Sequence, residues 1–195
     1  MPNNVTQQAI YIQSGDPATE NINPLPVLGQ SVGDPYPGTM GMRVTIKEPG
    51  PMGVPGAVNY RDKTWQRILT DSAMTVSPFK GAVAWWADKT KYMVTTDPTK
   101  LGQGNVAGVF QGAITKGYIG FIQCQGPGTV KLVDAPTSTP TATSANIIIP
   151  SSTAGKADSL AAGSAGTYPS LGTAAGAMSA GDNTVIVNLD VPHTP

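Results

Sequence analysis

The sequence predicts a mainly β protein: a small antiparallel β-barrel or sandwich core, preceded by an extended N-terminal arm and followed by a low-complexity, partly β region. Three observations carry this. All three tryptophans and all three phenylalanines fall between residues 65 and 121. Half of the 18 prolines fall within residues 1–60. Between residues 135 and 182, 37 of 48 residues are Ala, Ser, Gly, Thr or Pro. The resulting divisions are 1–60, 61–134 and 135–195.

In residues 1–60 each proline removes a backbone donor and fixes φ, which bars a helix or a central strand. Two short runs remain strand-like, Ala9-Ile10-Tyr11-Ile12 and Met42-Arg43-Val44-Thr45-Ile46. The second alternates Met42, Val44 and Ile46 against Arg43 and Thr45, the period of a strand with one covered face. So apolar and uncharged an arm is suited to lying along a surface.

Residues 61–134 hold the aromatic side chains, each stabilising by about 1.5–3 kcal/mol when fully buried, so the core belongs here. Gly81 to Trp86 reads as a strand, Asp88-Lys89-Thr90 as a turn, and Tyr92 to Thr95 as the return strand before Asp97-Pro98. Further strands are expected over 106–110, 118–123 and 129–133, with Gly112, Gly117, Gly126 and Gly128 at the joins. Strands at such spacing with glycine turns describe a small barrel or sandwich. Trp65, Ile68 and Leu69 are spaced i, i+3, i+4, which suits a short helical turn between Asp62 and Asp71 and leaves helix and strand both open.

The small side chains of 135–182 bury little area against the entropy of ordering them, so their composition is that of a linker. Two stretches depart from it. Asn146 to Pro150 is β-prone, and 183–191 alternates with period two, placing Val185, Val187, Leu189 and Val191 on one face. A final amphipathic strand implies a partner, either the central barrel or a neighbouring copy.

Only 12% of residues are charged, with 12 basic residues against 12 acidic, whereas soluble domains carry roughly 25%. A net charge of zero lacks the electrostatic footprint of non-specific nucleic-acid binding, so no nucleic-acid partner is expected. No basic-then-apolar leader and no membrane-length apolar run is read, so no membrane partner is expected either.

No catalytic, cofactor-binding or metal-ligating constellation emerges, and no cofactor is expected. His193, the single histidine, reads as a solvated tail residue, because no ligand-spaced cluster accompanies it. Cys124 reads as core packing. Several aspartates sit at turn positions, including Asp16-Pro17, Asp34-Pro35, Asp97-Pro98 and Gly181-Asp182-Asn183, where the carboxylate bonds its own backbone. Gly102-Gln103-Gly104 with Gly108 misses the dinucleotide spacing, and Gly155-Lys156-Ala157 lacks the rest of a P-loop. Trp85 and Trp86 are adjacent in a strand and point to opposite faces: either both are covered, or the outward indole anchors an interface. The residues expected to contact partners are Tyr11, Ile12, Trp85, Trp86, Val185 and Val187.

Gly81-Ala-Val-Ala-Trp-Trp-Ala-Asp88, Val94-Thr95-Thr96-Asp97, Val106-Ala-Gly-Val-Phe-Gln-Gly112 and Gly126-Pro-Gly-Thr-Val-Lys-Leu132 together resemble the capsid decoration, or cement, proteins of tailed phages. The resemblance covers roughly residues 75–134, and the longer segments at both ends depart from the short members of that family. It implies a non-enzymatic virion protein made in the host cytoplasm and bound to the capsid exterior. Its partners would be the major capsid protein and neighbouring copies of itself, as trimers or, failing that, dimers. A carbohydrate-binding head fibre or module, and a phage tail or adaptor component, are the alternative readings.

Overall fold

The computed structural model describes residues 18, 40–46, 62–98, 106–164 and 169–191. Among them the chain is β throughout, with no α-helix. Its ten strands are β1 (Arg43–Ile46), β2 (Lys63–Thr70), β3 (Val83–Asp88), β4 (Met93–Thr95), β5 (Val106–Val109), β6 (Ile119–Lys131), β7 (Ile147–Pro150), β8 (Ala157–Leu160), β9 (Gly172–Ala174) and β10 (Thr184–Asp190).

Five strands close a barrel in the cyclic order β2-β4-β3-β5-β6, because β6 pairs back onto β2. Four of the five seams are antiparallel; β2 and β4 meet in parallel through Leu69↔Met93 and Thr70↔Val94. β1 lies antiparallel on β2, from Arg43↔Gln66 to Ile46↔Lys63. Of the two readings left open at Trp65, Ile68 and Leu69, helical turn and strand, the structure shows the strand. β2 is paired by β1, β4 and β6, and Thr64 to Ile68 are all buried. With both faces covered, the apolar alternation that marks a half-buried strand is lost, and the helix-like spacing is coincidental.

Two strands expected over 118–123 and 129–133 are one strand of 13 residues, β6. Its first half pairs with β2 and its second half with β10, and Gln125 is opposite both Thr64 and Asp190. The glycines read as joins serve this transfer. Gly126 has φ +86°, and a Cβ there would collide with the Asp62 carbonyl, so glycine allows the β2 end and β6 to approach. Beyond the transfer point the sheet continues β6-β10-β9-β7-β8.

This continuation creates a second core. The barrel interior holds Ile68, Ala84, Trp86, Val94, Phe110, Ile114, Ile122 and Cys124. The other cluster combines Val83, Trp85 and Val109 of the barrel wall with Val130, Leu132, Ile148, Leu171, Val185, Val187, Leu189 and Val191. Val185, Val187, Leu189 and Val191 do share one buried face, and the partner of their strand is the chain's own β6 and β9.

Gly126 and Gly163 have nearly the same positive φ, +86° and +81°, but a Cβ at Gly163 meets nothing within 4 Å. Gly163→Ala should cost about 1 kcal/mol of backbone strain. Gly126→Ala should cost at least about 1 kcal/mol more, since its obstacle is backbone. Equilibrium urea unfolding of both variants checks this, and equal losses would refute the packing role of Gly126.

Candidate functional site

The structure places four of the expected contact residues inside the chain. Trp85 and Trp86 are 1% and 3% exposed, and Val185 and Val187 are 2% and 0% exposed. Trp86 enters the barrel and meets Tyr92 edge-on, with ring centroids 6.2 Å apart and planes at 69°. Trp85 enters the cluster under the C-terminal sheet. The interface expected at these four residues is corrected to intramolecular packing: β10 covers the outside of the wall that β3 helps to form. Tyr11, Ile12 and His193 lie outside the described residues.

Two other features remain open to a partner. The first is the solvent face of the C-terminal sheet. Its register aligns Pro127, Asn188, Thr173, Ile147 and Leu160 in one row across five strands. A neighbouring row sets Ile186 opposite Thr129. Neither row carries a charge, and Ile186, 48% exposed, is the one exposed large hydrophobic residue among the described ones. The signal for Ile186 was present in the sequence, since it alternates with Val185 and Val187.

The second feature is the edge of β1. Of the two end strands, β8 is covered on its outer side: Val133 N donates to Ala157 O and Ser138 N to Ser159 O, each at 2.8 Å. β1 pairs with β2 alone, so its other edge has no strand partner among the described residues. Unpaired N–H and C=O groups on such an edge are a template for strand addition.

The titratable groups are engaged locally. Asp88 Oδ1 accepts from Thr90 N at 2.9 Å and Thr90 Oγ1 at 2.7 Å, and these hydrogen bonds hold its carboxyl below the usual range. Asp134 accepts from Lys156 Nζ at 2.9 Å and Asn183 Nδ2 at 3.3 Å, joining three loops and likewise lowering its pKa. Buried Asp97 accepts from Thr75 Oγ1 at 3.0 Å. Among the described residues no group of three or more His, Cys, Asp or Glu could hold a metal ion. With this geometry in hand, no family model, no curated protein and no solved structure matches the chain.

Cys124 is fully buried in the barrel. Its burial pushes the thiol from 9.0 up to about 11, with a partial offset from the Arg43 guanidinium. The folded state therefore disfavours the thiolate. The stability this contributes is complete below the unfolded pKa near 9 and is lost as pH rises towards about 11. Between pH 8 and 11 the wild type should lose about 2 kcal/mol beyond the loss of Cys124→Ala. Urea titrations of both proteins across that range test it; parallel profiles would show that Cys124 does not ionise on unfolding.

Proposed function

We propose that the chain is a structural virion protein that binds the outside of a tailed-phage capsid and cements or decorates neighbouring major capsid subunits, without catalysis. The observation that carries this reading is the conjunction at β1 of a strand edge with no strand partner among the described residues and proline-rich sequence on both sides. Strand addition supplies a row of backbone hydrogen bonds without demanding a deep pocket, and many modest contacts made along one chain add by multivalency. The charge-free rows of the C-terminal sheet support the same reading, since they can meet a neighbouring surface with little desolvation of charge. Self-association, with trimers as the leading arrangement, belongs to this proposal, as does assembly on the capsid exterior.

The carbohydrate-binding alternative required an outward tryptophan, and burial of Trp85 and Trp86 removes its basis. A tail or adaptor component is distinguished by where copies sit on a particle.

The direct test is co-sedimentation of the purified chain with capsid shells lacking it, followed by imaging of the particles. Copies should occupy the outer surface of the shell. A Thr45→Pro change in β1, which puts a ring and no N–H on this edge strand, should reduce occupancy at least ten-fold while the barrel stays folded. Failure of the wild type to bind shells, or binding at the tail alone, would overturn the proposal.

A further inference from the structure

The outward side chains of the β6–β10 ladder are ordered by charge. On β10 they are Thr184, Ile186, Asn188 and Asp190, alternating with buried Val185, Val187 and Leu189. Each stands opposite an outward residue of β6, from Lys131 beside Thr184 at one end to Gln125 beside Asp190 at the other. The face therefore runs from a cation to an anion through uncharged rows that hold Ile186, the one exposed large hydrophobic residue among the described ones. Successive outward residues of a strand lie about 6.7 Å apart, so roughly 20 Å separates the two charged rows.

The two ends keep charge to spare. At the cation end the face opens into a cleft of about 450 Å³ whose walls include Phe79, Lys80, Lys131 and Ile186. Lys80 is exposed and adds a second ammonium. One carboxylate, Asp182, shares the cleft; hydrogen bonds with Ser179 and Thr184 hold it below its usual range and engage it within its own loop. Lys131 Nζ donates to the Asp182 carbonyl oxygen, and an ammonium has three donors, so two remain. At the far end Asp190 is exposed. Neither Lys80 nor Asp190 has an ion-pair partner among the described residues.

We propose that this face binds the same face of a second copy. The two ladders lie antiparallel across a two-fold axis, with Asp190 of each copy against the Lys80 and Lys131 end of the other. The order of charges selects that occupant. A half-turn about an axis lying across the strands, midway between the Ile186 and Asn188 rows, exchanges the two ends. It carries each anion onto the other copy's cations and sets each Ile186 on the other's row of Pro127 and Asn188. The face is thus complementary to itself, as a closed two-fold contact requires. Sheets stacked about 10 Å apart in aligned packing accommodate it. The seven residues of β10 and the five strands of this sheet give roughly 500 Å² a copy at ordinary strand spacings. The total, about 1,000 Å², is the lower limit of a specific interface, so the dimer is weak. The contact goes beyond the capsid reading, in which trimers lead, and is a property of the free chain; its failure leaves shell binding at the β1 edge untouched.

Sedimentation equilibrium of the full chain tests this. Wild type should show a reversible monomer–dimer equilibrium with a micromolar dissociation constant. Ile186→Asp puts an unpaired charge in the middle of the contact and should weaken it at least about ten-fold. Asp190→Lys and Lys131→Glu should each weaken it by setting like charges together. An equimolar mixture of those two variants should associate as a heterodimer, because every cross-contact in the mixed pair joins opposite charges. A variant that is merely misfolded has no such means of recovery. Wild type that stays monomeric at millimolar concentration would overturn the proposal. So would a trimer, a dimer indifferent to Ile186→Asp, or a mixture that stays monomeric. Should Lys131→Glu fail to fold, Lys80→Glu takes its place in the mixture.

Discussion

The structure depends on a wall that must be covered on both sides. β3 places Trp86 inside the barrel and Trp85 outside it, and neither indole is more than 3% exposed. A closed five-stranded barrel has room for one of these side chains, and leaving the other in water would forgo about 3 kcal/mol of burial. Val83 and Val109 sit in the outer cluster with Trp85, so the apolar surface outside the barrel is continuous. The C-terminal strands are therefore required by the barrel itself. The long β6 meets that need covalently, carrying the chain from the barrel seam to the covering sheet without a break in hydrogen bonding.

The composition of the covering region shows how a segment poor in large side chains can be ordered. Its apolar contribution comes from a few residues in register: Ile148, Leu171, Val185, Val187 and Leu189. Small residues act as spacers that let strands close. Gly172 lies opposite Leu189 and Ile148, and a Cβ there would strike the Asn188 carbonyl. Where side chains are too small to pack, polar bonds substitute. Asn146 Nδ2 donates to Ser138 O and Ser159 Oγ at 3.1 and 2.9 Å, so two buried polar residues satisfy one another. Order in such a segment is conditional on an apolar surface to cover, and the outside of β3 and β5 supplies it.

That conditionality decides what could be read from the sequence. The hairpin from Val83 to Thr95 and the strand at 106–109 were legible because turns and apolar runs are local signals. The period-two stretch at 183–191 announced an amphipathic strand, and even its exposed Ile186, but not which surface its valines would meet. Trp85 and Val187 share one buried cluster across a hundred residues of sequence, which no local pattern shows. For β2 the local signal left helix and strand both open, since two covered faces erase alternation. At Gly126 the residue read as a join is a strand position at which two segments of the chain come close. Trp85, Trp86, Val185 and Val187 were read as contact residues for one reason: an apolar face was legible, and its intramolecular partner was not.

The same reasoning constrains where partners can act. Among the described residues Ile186 is the one exposed large hydrophobic, so the described surface offers the edge of β1 and rows of small polar side chains. Contacts of that kind are weak singly and gain strength by repetition, as the proposed role on a shell of many subunits would require. A balance of 12 positive and 12 negative groups would let copies crowd in that proposed arrangement without building up a repulsive field. The chain thereby separates two tasks physically. Among the described residues, aromatic and branched side chains fix the fold from within, and in the proposed role association would fall to backbone groups and small side chains, so contact surfaces could vary without disturbing the core.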